Sequence, residues 1–215
     1  MIKYYLKVMM FMKIYNHIDN KILKEIVDVL DNDGLIIFPT DTVYGIACNS
    51  FSDKAIKKLF MAKNRDFDKP INVLTNSISK INLMVDNIND VERKLMNKYF
   101  PGNLTIIFNK KPEISNILTA NKSTIGVRIP NNEIALQILS AYPYPLATTS
   151  ANISGEENGV EVSDFIDAFK DTVDIIINGG KTNSVPSTIV RVEQTKINIL
   201  REGSLKLENI SSSSC

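Results

Sequence analysis

The sequence is poor in the residues on which much catalytic and metal chemistry is built. Its 215 residues include two cysteines, one histidine and no tryptophan. Cys48 and Cys215 form no C-x-x-C pair and have no histidine cluster beside them. That argues against a disulfide framework or a structural zinc site, and it fits a reducing, cytoplasmic compartment. The lone histidine, His17, precedes the first predicted helix, so neither a Ser-His-Asp arrangement nor a histidine-rich metal site can be assembled. A strong charge of either sign is missing too: Lys+Arg 25 against Asp+Glu 24 leaves +1, and any anion site must be local. No run approaches the roughly 20 apolar residues that span a bilayer, so no membrane role is expected. The N-terminal MIKYYLKVMMFMKIYN has no small-residue cleavage site and does not read as a signal peptide. Residues 1–11 read as an extension outside the fold, with an N-terminal strand as the competing reading, and residues 209–215 as a flexible tail.

What is present is a globular pattern, 44% hydrophobic and 23% charged. Ile18, Ile22, Leu23, Ile26, Val27 and Leu30 recur at helical spacing, with Gly34 where a C-terminal glycine belongs. Strands are predicted at 35–39 and 43–48. A helix then follows a Ser52 cap, placing Lys63 at its end. Further strands are expected at 71–75, 104–109, 125–129, 146–149, 174–177, 187–193 and 197–201. Helices are expected through Val91 to Tyr99, over 132–141 and after Ser163. No linker or repeat divides the chain. The expectation is α/β, a twisted open mixed sheet flanked by helices, in a single domain over 12–208.

Short polar segments cluster at the predicted strand edges and helix ends. PTDTVYG, residues 39–45, packs two hydroxyls, a carboxylate and a phenol onto the end of an apolar strand; it reads as a pocket wall or as an ordinary turn. Lys63-Asn64-Arg65 and Lys69 supply cations that turn geometry can converge on a polyanion, the alternative being a solvated basic helix end. Thr124, Gly126 and Arg128 share a strand face by the period of two. Arg128 there suits a carboxylate or phosphate, or else a cross-strand ion pair. Thr148 to Gly155 offers hydroxyls and an amide with both donor and acceptor character, or a simple Asn/Ser turn. Gly179-Gly180-Lys181-Thr182 imitates the end of a P-loop, but Ile175 stands where the required glycine should be, so it reads as a turn.

Together and in this order, these segments resemble the YrdC-like family of threonylcarbamoyl-AMP synthases. The resemblance runs from about Gly34 to Gly203 through PTDTVYG, K-x-R, PG-x-x-T, VR-x-P, TSAN-x-SG, STI and LR-x-G. It implies a reaction of ATP, L-threonine and bicarbonate or CO2 giving threonylcarbamoyl-AMP and pyrophosphate, for threonylcarbamoyladenosine modification of tRNA. Mg2+ is expected to bridge the phosphates, and other tRNA threonylcarbamoylation proteins are expected as partners. By position, Thr42, Tyr44, Arg128, Ser150 and Ser187 fall to threonine. Lys63, Arg65, Lys69, Thr124, Asn152 and Arg201 fall to the nucleotide, with Lys63 and Arg65 nearest the chemistry. No protein nucleophile is required, and no step demands Asp41. Asn103 stands where the family often has proline, and Asn131-Asn132 where a histidine is common. The chain stops soon after LR-x-G, as in a short-form synthase. The alternative is a related module that binds double-stranded RNA, tRNA or rRNA without synthesis. Carbamoyl transfer in metal-centre maturation is less apt, because this fold occurs there inside longer chains.

Overall fold

The computed structural model describes residues 12–206. The expectations for residues 1–11 and 209–215 lie outside the described residues.

Among the described residues ten strands form one sheet in the order β1-β8-β2-β3-β7-β4-β6-β5-β9-β10. They are β1 (Lys13–Tyr15), β2 (Ile36–Phe38), β3 (Gly45–Asn49), β4 (Asn72–Leu74), β5 (Leu104–Asn109), β6 (Thr124–Arg128), β7 (Leu146–Ser150), β8 (Ile175–Ile177), β9 (Thr188–Glu193) and β10 (Lys196–Arg201). The pairs β1/β8, β2/β8, β4/β6 and β5/β9 are parallel and the other five antiparallel, so the sheet is mixed as expected. Six α-helices among the described residues flank it: α1 (Asn20–Asp31), α2 (Asp53–Ala62), α3 (Ile78–Ile81), α4 (Asp90–Tyr99), α5 (Glu133–Ala141) and α6 (Ile166–Phe169).

Capping side chains set the helix starts. Asp19, Ser52, Asn89 and Asn132 each accept from a backbone N–H of the first turn, and Asn89 with Glu92 makes a reciprocal capping box. The end of α1 differs from expectation: Asp33, φ 59°, takes the left-handed position, and Gly34 follows it, donating to Val29 O at 2.8 Å. The strand β1 and the one-turn helix α3 were not predicted. The helix expected after Ser163 is a 3-10 turn, Val162–Asp164, followed by the single turn α6.

The two sheet faces are covered unequally. One carries the larger core, built on Ile46, Val73, Ile106, Val127 and Val190 and packed against α2 and α4. On the other, α1 and α5 cover Ile36, Phe38, Ala47, Leu146 and Ile175. Beyond Leu74 no helix among the described residues roofs that second face. Register aligns Thr148, Asn72, Gly126, Ile107 and Arg191 as a row across β7, β4, β6, β5 and β9, and this row lines an open cavity of about 680 Å³. The segment 178–187 leaves β8, the second strand in order, and returns at β9, the ninth, with Pro186 and Ser187 on the cavity wall.

Candidate functional site

Arg128 ends β6 at the cavity and is 5% exposed. Its Nε donates to Gly102 O at 2.8 Å, Nη1 to Thr42 Oγ1 at 2.8 Å, and Nη2 to Asp41 Oδ1. Burial pulls the guanidinium below its usual range, Asp41 pushes it back, and the nearby Arg201 pulls again. The Pro101-Gly102 turn thus stops α4 and also presents a carbonyl to Arg128.

The hydroxyls behind Arg128 form a directed chain. Thr40 Oγ1 donates to Val43 O at 2.7 Å, which spends its single proton. Thr42 must therefore donate across the 3.0 Å contact to Thr40 Oγ1, leaving its own oxygen as acceptor for Arg128. PTDTVYG is therefore no loose turn. Tyr44 in the same stretch points elsewhere: its OH donates to Gly180 O at 2.6 Å and accepts from Gly179 N at 3.1 Å, with the ring 5.2 Å from Phe165. It fixes the Gly179-Gly180 turn, where Gly180 has φ 81°, and does not line the cavity.

A second group occupies the end of α2. Asn64 adopts φ 49°, and this left-handed step sends Lys63 and Arg65 in different directions. Arg65 lines the cavity, held by Lys69 O at 3.2 Å and Pro70 O at 2.9 Å. Lys63 is 1% exposed and does not line the cavity; it donates to Ser150 O and, at 3.2 Å, to Asn152 Oδ1. Burial, and after it the charge of Arg65, brings its ammonium down to about 7. The two cations of K-x-R thus stand on the wall and behind it, where the sequence suggested both facing one ligand.

Asn152 is the hub of that group. Its Oδ1 accepts from Lys63 and, at 2.5 Å, from Ser150 Oγ; its Nδ2 donates to Ile153 O and Glu156 O. Ser150 lines the cavity and Asn152 does not. Thr124 and Lys69 line it too, the latter paired with Asp66 at 2.8 Å.

The C-terminal motifs meet Arg128 from the far side. Ser187 Oγ lies 2.8 Å from Thr105 Oγ1, and Arg201 donates to Ser187 O from Nε at 3.1 Å and Nη2 at 2.7 Å. Gly203 permits this junction: a Cβ there would lie 2.3 Å from Pro186 O and 2.4 Å from the Ser187 carbonyl carbon. These are backbone atoms with little room to yield, so Gly203→Ala is expected to cost about 1–3 kcal/mol. A urea midpoint unchanged by the substitution would contradict that reading.

Sequence reasoning missed Arg191, Lys122, Asp68 and Asn72 in the lining. Strand alternation from Ile189 could have found Arg191, and the pairing of β4 with β6 explains Asn72; Lys122 and Asp68, outside strands, carried no signal. Two departures from the family pattern gain local roles. Asn132 caps α5, accepting from Ala135 N at 3.0 Å, and Asn103 Nδ2 donates to Ser204 Oγ at 2.8 Å. Cys48 is fully buried, its thiol pushed up by burial, which excludes it as a nucleophile. Among the described residues no helix is long and apolar enough to cross a membrane.

Fold and cavity together define an α/β protein whose half-covered mixed sheet carries a cationic cleft, with an arginine buried at one side and hydroxyls around it. The chain belongs to the Sua5/YciO/YrdC family, whose model, described as "Telomere recombination", matches residues 28–203. A putative threonylcarbamoyl-AMP synthase of Methanocaldococcus jannaschii is 37% identical over 191 residues, covering 88% of this chain and 89% of that protein. The threonylcarbamoyl-AMP synthase of Pyrococcus abyssi is 33% identical over 177 residues, 82% of this chain but 52% of its own length. The chain therefore spans about half of that longer relative. Such synthases are nucleotidyltransferase-type enzymes with ATP as substrate. The P. abyssi Sua5 crystal structure complexed with L-threonine superposes with a TM-score of 0.88 at 29% identity, over 93% of this chain and 59% of that one. E. coli YciO, TM-score 0.81 at 24% identity, covers 92% of this chain and 97% of its own, and bears on the fold alone.

Proposed function

We propose that this protein is an L-threonylcarbamoyladenylate synthase acting in tRNA threonylcarbamoyladenosine formation. The observation that carries the reading is one cavity holding a buried arginine ringed by hydroxyls together with Arg65, Lys69 and Arg201 on its walls. Threonine's carboxylate takes Arg128, and Thr42, Ser150 and Ser187 surround the rest of the amino acid. Tyr44 acts through the Gly179-Gly180 turn. Arg65, Lys69, Thr124 and Arg201 receive the nucleotide, while Lys63 and Asn152 set the position and charge of the Ser150 wall.

The amine nitrogen, having lost a proton, forms a bond to the carbon of CO2 or bicarbonate; with CO2 a second proton leaves the nitrogen for solvent, and with bicarbonate water leaves. The carbamate oxygen then attacks the α-phosphorus in line, and the bond to pyrophosphate breaks. Both steps need positioning and charge neutralisation, which fixed cations and hydroxyls supply. Among the described residues no group of three His, Cys, Asp or Glu is placed to hold a metal. Asp68 is the carboxylate that lines the cavity, a hard oxygen donor of the kind Mg2+ takes, and an ion held there would neutralise phosphate charge.

Purified protein is expected to release pyrophosphate from ATP only when L-threonine and bicarbonate are both present. Release that is absent, or equally fast without threonine, would sink the assignment.

A further inference from the structure

Asn72 lies in the middle of the cavity floor and has no part in the reaction as described so far. It opens β4 between Thr148 of β7 and Gly126 of β6, and all three line the cavity. Its side-chain amide makes no hydrogen bond among the described residues, and it is not one of the sealed polar groups, so it opens onto the cavity. Gly126 makes the room for it: a Cβ there would lie 2.2 Å from Asn72 Oδ1 and 3.0 Å from its Cγ. The rest of the row offers less. Thr148 spends its proton on Leu146 O at 3.0 Å, Gly126 and Ile107 bring no polar side chain, and Arg191, two strands beyond Gly126, is drawn to Glu193 at 3.5 Å. Asn72 is therefore the free donor at the centre of the floor.

Its neighbours along the strand indicate what the amide meets. Two residues after Asn72, Leu74 pairs with Arg128 across β4 and β6. Two residues before it, Pro70 O accepts from Arg65 Nη2 at 2.9 Å. In the synthase reading Arg128 takes the threonine carboxylate and Arg65 the phosphates, so the two substrates are joined between these arginines through a single carbon. Once bonded to the threonine nitrogen, that carbon carries two oxygens sharing a negative charge. A fixed amide offers such oxygens an N–H without adding a cation that would compete for phosphate.

Resting on that reading, we propose that Asn72 is a substrate-binding residue whose Nδ2 donates to an oxygen of the carbamate on threonine, holding the one-carbon unit between Arg128 and Arg65. The carbamate is the same group whether CO2 or bicarbonate supplied its carbon. The nucleoside lies past the α-phosphate, on the side away from Arg128, and leaves Asn72 to the carbamate.

The test follows pyrophosphate release by the full chain as bicarbonate is varied at saturating threonine and ATP, and adds calorimetric titration of threonine and of ATP, each alone. Asn72→Leu nearly keeps the side-chain volume and loses the amide. It should lower kcat/KM for bicarbonate by about tenfold or more, the worth of a hydrogen bond to a charged group, while threonine and ATP alone bind as they do to the wild-type protein. Asn72→Ala, which leaves space where the amide was, should fall to the same degree. If only the leucine variant loses activity, bulk and not hydrogen bonding is at work and the assignment is wrong. Unchanged kcat/KM in both variants would overturn it, as would a matching loss of affinity for ATP alone, which would give the amide to the nucleotide. A wild-type protein that releases no pyrophosphate with all three substrates would fail the synthase reading itself, and this proposal with it.

Discussion

Arg128→Ala should raise the KM for threonine by roughly 30- to 150-fold, the equivalent of about 2–3 kcal/mol for a lost charge-assisted contact. The KM for ATP should move far less, because Arg65, Lys69 and Arg201 lie on other parts of the wall. The same substitution strips Asp41 of its partner and leaves Gly102 O and Thr42 Oγ1 without a donor. Breaking a buried ion pair from one side costs about 3–5 kcal/mol, so the variant should also melt earlier. Arg128→Lys separates the two effects. It keeps a charge for Asp41, and hence much of the stability, but loses the planar fork that holds a carboxylate from two nitrogens. A threonine KM unmoved in a folded Arg128→Lys or Arg128→Ala protein would take Arg128 out of the site.

Lys63 should make stability depend on pH in an unusual direction. Its ammonium falls from an ordinary 10.5 to about 7, first through burial and then through Arg65. Between those two values the unfolded chain binds the proton and the folded chain does not. Stability therefore rises with pH across that window, and the cost of burying the charge, on the order of 5 kcal/mol, applies in full below about pH 7. Urea midpoints measured from pH 7 to 10 should climb in the wild-type protein and climb less in Lys63→Met. Matching slopes in the two proteins would show that Lys63 is charged throughout. Substrate adds a second readout. A triphosphate brought near the ammonium favours its charged form, so ATP binding at pH 8.5 should take up close to one proton, measured as a binding heat that changes with the buffer. No uptake would mean that Lys63 stays with Ser150 and Asn152 and only positions them.

Much of this arrangement was legible in the sequence, for identifiable reasons. The Ser52 cap, the place of Lys63 at the end of α2 and the shared face of Thr124, Gly126 and Arg128 follow from local geometry, and the structure has all three. β1 was not legible because three residues, two of them exposed, show no alternation. The directions of side chains were harder still. Asn64 just past the end of α2 is a residue that tolerates left-handed backbone, but its type does not say where its neighbours then point, and that one torsion turns Lys63 into the protein and Arg65 into the cavity. Tyr44 looked like pocket wall by proximity in sequence, and its hydroxyl instead meets a turn some 135 residues later. Asp41 had no assignable role until its partner, 87 residues away, was placed beside it.

The route of the chain bears on when the cleft comes into existence during synthesis. Strands β2 to β7 and the helices packed on them are complete by Ser150, but Ser187 and Arg201 emerge after β8, and they reach Thr105 and the neighbourhood of Arg128 only after segment 178–187 has crossed from one side of the sheet to the other. Pairings between such distant parts of a chain form slowly, because the loop must close before any contact rewards it. A nascent chain that has emerged only as far as β8 would thus present Arg128 without the part of the cavity wall that Ser187 and Arg201 build. Closure of the cleft waits on the strands that follow segment 178–187, however early the rest of the sheet has formed.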